Sequence, residues 1–299
     1  MLGSIIGDIV GSVYEFDEMK NYNFSPLVGK NCCFTDDSIL TCAVAEWLTT
    51  DELHGKSTLK EAVLKYCRLY PRPMGGYGDS FQKWLLNTGE RKPYNSCGNG
   101  SAMRVCPIGW VENSVSDVMK TAKRSAEITH NHPEGIKGAQ AVALCVYFAR
   151  IGKETTEIKN YIESEFGYDL SMPIAEIRKR YSWNGIDGLG NSGLCQHSVP
   201  QAISCALQSD GFEQAVRNAA SIGGDSDTIG CITGGIAEAL YGVPTEISDC
   251  VIEKFLPYRL KNVLRNFAKK FGIHHIDDYF QHHPLAEYVG RNSGKKFEI

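Results

Sequence analysis

The stretch MLGSIIGDIVGSVYEF, residues 1–16, sets the helical character of the chain. Its apolar side chains recur every three or four residues, which is the spacing of one buried face of an α-helix. We expect no secretory signal peptide in this stretch, because it lacks a basic leading segment and Asp8 interrupts the apolar run. We predict a buried first helix whose core face is formed by Leu2, Ile5, Ile6, Ile9, Val10 and Val13.

The same spacing continues outward along the chain. It recurs over residues 40–48, 59–67 and 118–126, with a capping box from Thr58 to Glu61 and a cap at Ser116. No alternating strand pattern with a tight two-residue turn is evident. Further helices are predicted over residues 133–151, 154–166, 199–208, 211–221, 228–241, 246–256 and 258–270, with Pro133, Pro244 and Pro257 at helix starts or boundaries.

These patterns predict an all-α fold. We expect one compact domain of orthogonally packed helices over residues 1–290 and a flexible tail over residues 291–299. Polar, glycine-rich loops fall at residues 15–35, 71–79, 88–101 and 182–198, and they are expected to gather on one face of the domain.

Composition narrows the class of protein. Of the 299 residues, 42% are hydrophobic and 22% are charged, and the formal net charge is -4, which is typical of a soluble globular chain. The chain has no excess of basic residues that would favour nucleic-acid binding. It also has no apolar run that approaches the ~18 residues of a membrane span. The eleven cysteines lack zinc-finger spacing and indicate reduced thiols. We predict a cytoplasmic monomer without a membrane partner.

Two short acidic segments stand where predicted helices begin. One is FTDDS, residues 34–38, before a helix predicted to start near Ile39. The other is GGDSDT, residues 223–228, before a helix predicted to start near Ile229. Asp, Ser and Thr are preferred helix caps, so each segment by itself fits simple capping.

Capping explains too little of the two segments together. A helix start needs one cap, whereas each segment carries two carboxylates and a hydroxyl, and close carboxylates repel unless a positive charge separates them. Oxygen ligands without His or Cys favour Mg²⁺ or Mn²⁺ over zinc. Four carboxylates are enough for two ions with one carboxylate bridging, and Gly223 and Gly224 let the backbone come close. The segments therefore predict a pair of divalent cations.

Two glycine-rich segments need separate interpretations. Residues 95–104, NSCGNGSAMR, have backbone N–H groups that could cradle a phosphate, although an ordinary turn fits equally well. Residues 188–193, GLGNSG, match GxGxxG, but no strand precedes them and no βαβ unit surrounds them, so we reject a dinucleotide fold. His130 fits either a helix-end dipole partner or a phosphate donor. Tyr77 fits either a stacking ring or a core residue.

Taken together, these segments resemble the ADP-ribosylglycohydrolase family. The resemblance runs in order along nearly the whole chain. It is carried by Gly3, Gly7, Asp8, Gly11 and Glu15, then by Thr35–Ser38, Gly98–Arg104, Thr129-His130 and Gly224–Gly230.

The resemblance implies an all-α fold with a centre of two Mg²⁺ or Mn²⁺ ions. Glu15 matches an acidic position that some relatives use at the scissile bond, and Ser226 stands where many relatives carry threonine. The implied metal ligands are Thr35, Asp36, Asp37, Asp225, Asp227 and Thr228. The implied ADP-ribose contacts are Gly76, Tyr77, Gly78, Ser96, Cys97, Gly98, Asn99 and Gly100, with His130 near the diphosphate.

The resulting hypothesis is a hydrolase that removes ADP-ribose from a modified target, such as an arginine or serine side chain of a protein. The two ions would hold the distal ribose and a water, which replaces the target at the anomeric carbon. The predicted catalytic residues are Asp37, Glu15 and Asp225, with Asp37 or Glu15 assisting proton transfer. Alternatives are hydrolysis of O-acetyl-ADP-ribose or ADP-ribosylated nucleic acid, non-catalytic ADP-ribose binding, and cleavage of the diphosphate.

Overall fold

The computed structural model describes residues 1–52 and 54–285. Within these residues it contains sixteen helices and one short antiparallel hairpin, which confirms the predicted all-α fold class. The predicted tail over residues 291–299 lies outside the described residues. The first eight helices are α1 (Leu2–Gly11), α2 (Asp36–Thr50), α3 (Lys56–Leu69), α4 (Asp79–Leu86), α5 (Gly100–Met103), α6 (Cys106–Val111), α7 (Val115–Ala126) and α8 (Pro133–Arg150).

The second half of the chain continues the helical pattern after the hairpin. Pro133, Pro244 and Pro257 stand at helix starts, as predicted. The hairpin and the remaining helices are α9 (Thr155–Phe166), α10 (Ile174–Arg180), β1 (Tyr181–Ser182), β2 (Gly185–Ile186), α11 (Cys195–Leu207), α12 (Phe212–Ser221), α13 (Ser226–Tyr241), α14 (Thr245–Phe255), α15 (Tyr258–Phe271) and α16 (His274–His282).

Several helices begin earlier than the sequence predicted. Helix α2 begins at Asp36 rather than near Ile39, and α13 begins at Ser226 rather than near Ile229. The predicted starts followed the apolar residues, whereas the polar residues before them already belong to the first helical turn. The acidic side chains therefore lie on the helix ends themselves. The short helices α4, α5, α6, α10 and α16 were not predicted, because each is too short to show a clear period.

Two predicted caps were wrong. Helix α3 begins at Lys56 with Gly55 as its cap, so Thr58 lies inside the first turn, where its hydroxyl donates to the Gly55 carbonyl at 2.8 Å. Helix α7 is capped by Ser114 rather than Ser116, since the Ser114 hydroxyl accepts from the Asp117 N–H at 3.1 Å.

The structure contains a hairpin with a two-residue turn, which the sequence did not predict because no alternating strand pattern marks it. Strands β1 and β2 pair around Trp183 and Asn184, and β2 ends shortly before the GxGxxG segment. The strands are two residues long, and within the described part of the chain they form a sheet of only these two strands. A dinucleotide-binding βαβ unit therefore remains excluded for the described residues.

Helices α1 and α13 pack backbone against backbone. A Cβ atom added to Gly7 would lie 1.8 Å from the Gly230 carbonyl oxygen, and one added to Gly3 would lie 2.2 Å from that of Gly234. Only glycine allows the two backbones to come this close, so these glycines set the distance between α1 and α13. This packing brings Asp8, on α1, close beneath the N-terminal end of α13, from which Asp227 acts on it electrostatically.

The buried core spreads over nearly all the helices in one cluster. All eleven cysteines fall within the described ranges and are free thiols, as predicted. Among the described residues, no helix combines the length and the apolar character needed to cross a bilayer.

Candidate active site

A cleft of about 730 Å³ opens at the N-terminal ends of α2 and α13. Its walls come from the predicted loops, which confirms that these loops gather on one face. Most of the predicted site residues line it, namely Glu15, Asp36, Asp37, Gly76, Tyr77, Gly78, Ser96, Gly98, Asn99, Gly100, His130, Asp225, Asp227 and Thr228. Thr35 lies buried behind this lining, and Cys97 does not face the cleft.

The two acidic segments meet at one end of the cleft. Carboxylate oxygens of Glu15, Asp225 and Asp227 all lie within 4.8 Å of one another. The Thr228 hydroxyl donates to Asp37 Oδ2 at 3.3 Å and so joins the second segment to the first. Segments on opposite sides of the molecule would have ended the metal hypothesis, and the structure brings them together.

Hydrogen bonds at the helix starts account for Thr35 and for one oxygen of Asp227, which accepts from the Thr228 N–H at 2.8 Å. The Thr35 hydroxyl oxygen accepts from the Asp37 N–H at 3.2 Å and is a true cap of α2. Asp225 occupies the cap position of α13 but its carboxylate makes no capping bond there. Its Oδ2 instead accepts from Asn99 Nδ2 at 2.7 Å. The other carboxylates are thus available for a task besides capping.

Asp8 is a buried support of the site that the sequence reading did not select. Its carboxylate accepts from the Thr35 N–H at 3.0 Å, the Thr35 hydroxyl at 2.7 Å and the Ser38 N–H at 3.1 Å, and also from the Ser38 hydroxyl. These four bonds fix the start of α2 to α1. A carboxylate inside an apolar helical run is the signal that could have revealed it, since buried charges need such partners.

The acidic end carries strong mutual repulsion. Burial, followed by the charge of Asp227, raises the pKa of Asp8 to about 7 and that of Glu15 to about 8. The same causes raise the pKa values of Asp36, Asp37 and Asp225 well above their usual range, and the hydrogen bond that Asp225 donates to Asp227 raises the pKa of Asp225 further.

The donor set fits divalent cations. Asp37 Oδ1 is buried without a hydrogen-bond partner among the described residues, and a buried bare oxygen calls for a positive partner. The surrounding donors are carboxylates and hydroxyls, which are the hard oxygen ligands that Mg²⁺ and Mn²⁺ accept. A cation held here would also offset the repulsion between the carboxylates.

The glycine-rich loop lines the cleft next to the acidic end, where its Asn99 contacts Asp225. Its Gly98 N–H is already bonded to Ser96 Oγ at 3.1 Å, and the Asn99 N–H is bonded to the Gly193 carbonyl at 3.0 Å. These two N–H groups are therefore not free to cradle a phosphate, and the predicted phosphate contact stays a prediction for the other N–H groups of the loop. The donor that faces the cleft beside this loop is His130, whose Nε2 would lie 3.2 Å from a Cβ atom on Gly100.

Tyr77 is anchored in the fold and also lines the cleft. Its hydroxyl donates to the Tyr70 carbonyl at 2.7 Å, and its ring lies 5.7 Å from that of Phe81, so the side chain is anchored. Its ring nevertheless lines the cleft. In the same loop, Gly75 lies against Glu15, because a Cβ atom there would approach Glu15 Oε2 to 2.4 Å. The loop thus borders the acidic end.

The mouth of the cleft has an aromatic pair that the sequence reading missed. The Phe16 side chain is 76% exposed, and its ring lies 5.7 Å from that of Trp183. Both residues line the cleft beside Glu15. They come from loops far apart in the chain, so no local pattern could have paired them.

The fold and the cleft define a helical protein whose binding site is rich in carboxylates and is lined by long loops. The family model for ADP-ribosylglycohydrolase matches residues 1–276. The chain belongs to this family and is an enzyme of it.

Several known proteins are similar to the chain. ADP-ribosylhydrolase ARH3 from Bos taurus is 27% identical, over 81% of this chain and 84% of the relative. ADP-ribosylarginine hydrolase Tri1 from Pseudomonas putida is 23% identical, over 81% of this chain and 70% of the relative. A solved "ADP-ribosylglycohydrolase-related protein complex" matches the fold with a TM-score of 0.61 at 20% identity, covering 92% of this chain and 96% of that chain.

Proposed function

We propose that the protein hydrolyses the bond between ADP-ribose and a modified protein side chain, with two Mg²⁺ or Mn²⁺ ions held at the acidic end of the cleft. The observation that carries the proposal is the convergence of the two acidic segments, through Thr228 and Asp37, on a buried oxygen without a partner. Membership of the family supports the activity, and the acidic end supports the metal requirement.

Two parts of the cleft suit two parts of the ligand. The distal ribose, whose hydroxyls can bind metal, would lie at the acidic end beside Asp225 and Asp227. The diphosphate would lie beside His130 and the glycine-rich loop, where no carboxylate of the cluster is needed to contact it. The volume of about 730 Å³ falls within the range of small-molecule sites.

The metal ligands would be Thr35, Asp36, Asp37, Asp225, Asp227 and Thr228. When bound, the ions would position the ribose and a water for attack at the anomeric carbon. Asn99 orients Asp225 through its 2.7 Å hydrogen bond, and Asp8 orients the start of α2. Glu15, on the open side of the cluster, is the residue best placed to move a proton to the leaving group or from the water.

The leaving group is the part of the substrate for which the names of the relatives carry the argument. The relative from Pseudomonas putida is named for ADP-ribosylarginine, and other relatives carry the general name ADP-ribosylhydrolase. We propose a protein-linked substrate, arginine or serine. O-acetyl-ADP-ribose and ADP-ribosylated nucleic acid are the alternative substrates within the same chemistry.

A substrate panel tests this proposal directly. The protein is stripped of metal, supplied with Mg²⁺ or Mn²⁺, and incubated with arginine-linked and serine-linked ADP-ribosyl peptides, O-acetyl-ADP-ribose and an ADP-ribosylated oligonucleotide. Mass spectrometry is expected to detect intact ADP-ribose from one of the peptides, in the presence of metal. Release of AMP would show diphosphate cleavage instead. Tight ADP-ribose binding without turnover on any substrate would show a binding module.

A further inference from the structure

Arg104 is a buried cation in the wall of the cleft. Its side chain is fully buried, and no ion pair of the described residues includes it. Its Nη2 donates to the Ser125 carbonyl at 2.8 Å and to the Thr129 hydroxyl oxygen at 3.1 Å. The guanidinium thus fills one of the two accepting positions of the Thr129 hydroxyl, whose single proton still needs an acceptor.

The Thr129 proton has one acceptor among the described residues. The hydroxyl oxygen lies 2.7 Å from His130 Nδ1, and the Thr129 side chain is fully buried. If Nδ1 carried a proton and donated it to Thr129, the hydroxyl proton would be left without an acceptor in a dry interior. An unsatisfied buried donor is costly, so Thr129 donates and Nδ1 accepts.

His130 is neutral, since burial and then the charge of Arg104 lower its pKa well below the usual value. A neutral imidazole that accepts at Nδ1 must carry its proton at Nε2. That nitrogen would lie 3.6 Å from a Cβ atom on Gly98 and 3.2 Å from one on Gly100, both of which line the cleft. The ring therefore presents an N–H donor to the ligand.

We propose that Thr129, oriented by Arg104, is a positioning residue that locks His130 as the neutral Nε2–H tautomer, so that His130 donates a hydrogen bond to the diphosphate of the ligand. The identity of the ligand rests on the proposed function, whereas the tautomer does not. The unprotonated nitrogen, Nδ1, accepts a hydrogen bond from Thr129 and cannot take a proton from the ligand. His130 therefore acts as a fixed donor and not as a general base.

The first test reads the tautomer without any ligand. In the wild-type protein labelled with ¹⁵N-histidine, the His130 signals, identified by their loss in His130→Ala, are expected to show a protonated Nε2 and an unprotonated Nδ1. Thr129→Val is expected to weaken this preference and Thr129→Ser to restore it. A protonated Nδ1 in the wild type would overturn the proposal, and this result needs no variant to fold.

The second test reads the consequence for binding. ADP-ribose is titrated calorimetrically into the metal-loaded wild type, Thr129→Val and Thr129→Ser. Thr129→Val is expected to lose about tenfold in affinity, the scale of a hydrogen bond to a charged group, and Thr129→Ser is expected to retain it. With the substrate found active in the panel, KM should rise while kcat changes little.

A matched control separates positioning from a general loss of packing. Thr233 is also fully buried, and its hydroxyl donates to the Ala202 carbonyl at 2.9 Å, outside the cleft. Thr233→Val is expected to lower thermal stability comparably and to leave ADP-ribose affinity unchanged. If Thr129→Val binds like Thr233→Val, the positioning role is wrong. If the wild type itself fails to bind ADP-ribose, the proposed function is wrong, while the labelled-histidine result stands by itself.

Discussion

The Thr228 hydroxyl lies 3.3 Å from Asp37 Oδ2, although 191 positions separate the two residues in the chain. This hydrogen bond joins the first turn of α13 to the first turn of α2. It places carboxylates from both helix ends around a common space, where Glu15 closes the third side. Such crowding is unfavourable for the protein by itself and favourable once positive charge lies between the carboxylates.

Asp225→Asn and Asp227→Asn are expected to abolish turnover while leaving the fold intact. Each change removes an anionic oxygen from the proposed metal site, and we expect a loss of at least about a hundredfold in kcat/KM, in line with removal of a key electrostatic group. Each change also relieves repulsion, so the metal-free variant should melt no lower than the metal-free wild type. Steady-state rates and thermal melts in chelator measure the two effects.

The control for these variants is Asp210→Asn, at an exposed position outside the cleft. It is expected to change neither rate nor melting temperature. Full activity of Asp225→Asn or Asp227→Asn in chelator would show that the metal mechanism is wrong.

The stability of the metal-free protein is expected to fall as pH rises. The folded-state pKa values of Asp8 and Glu15, about 7 and about 8, exceed their ordinary values of 3.8 and 4.5. Their stabilising contribution is therefore complete below about pH 4 and is lost as pH rises through about 7 to 8. Melting temperatures in chelator should decrease between about pH 5 and 8, at roughly 2–4 °C per kcal/mol for a chain of this size.

Divalent cations are expected to reverse this trend. They bind deprotonated carboxylates, so added Mn²⁺ should raise the melting temperature more at pH 8 than at pH 5.5. Calcium-free and magnesium-free buffers with a chelator provide the baseline. An equal rise at both pH values would indicate cation binding away from the acidic cluster.

Much of the fold could be predicted because the apolar spacing of a helix is visible within a short stretch of sequence. The apolar spacing of residues 133–151 and 154–166 gave helices that match α8 and α9 almost residue for residue. The predicted bounds failed where polar residues such as Asp36 and Ser226 form the first turn, since apolar spacing does not register them. The two-residue strands of the hairpin are too short for any period to appear.

The residue types of the site could be predicted from the sequence, whereas their contacts could not. The acidic segments could be recognised in the sequence, because two carboxylates are more than one helix start needs. The support from Asp8, the Phe16–Trp183 pair and the occupied N–H groups of Gly98 and Asn99 depend on contacts between distant segments. Distances of that kind come from tertiary packing, to which the spacing of residues along the chain gives no access.

Gly7→Ala is expected to destabilise the protein strongly. The new methyl group would lie 1.8 Å from the Gly230 carbonyl oxygen, and neither backbone can move without separating α1 from α13. We expect a fall in melting temperature of roughly 5–10 °C, or loss of the folded state, since overpacking costs about 1–3 kcal/mol or more. Gly211→Ala is the matched control, because no atom lies within 4 Å of a Cβ atom added to Gly211 and its φ of −177° is extended backbone that alanine also adopts. Equal melting temperatures for the two variants would contradict the close packing.

Phe16→Ala is expected to weaken recognition of the target without affecting the ADP-ribose end. The Phe16–Trp183 pair stands at the mouth beside Glu15, where the group attached to the anomeric carbon would emerge. We expect KM for an ADP-ribosylated peptide to rise about threefold to tenfold, the scale of one aromatic contact, while the Kd of free ADP-ribose stays unchanged. Leu86→Ala is the control, since Leu86 is 70% exposed but does not line the cleft. An equal loss for peptide and free ADP-ribose would place Phe16 at the nucleotide and not at the target.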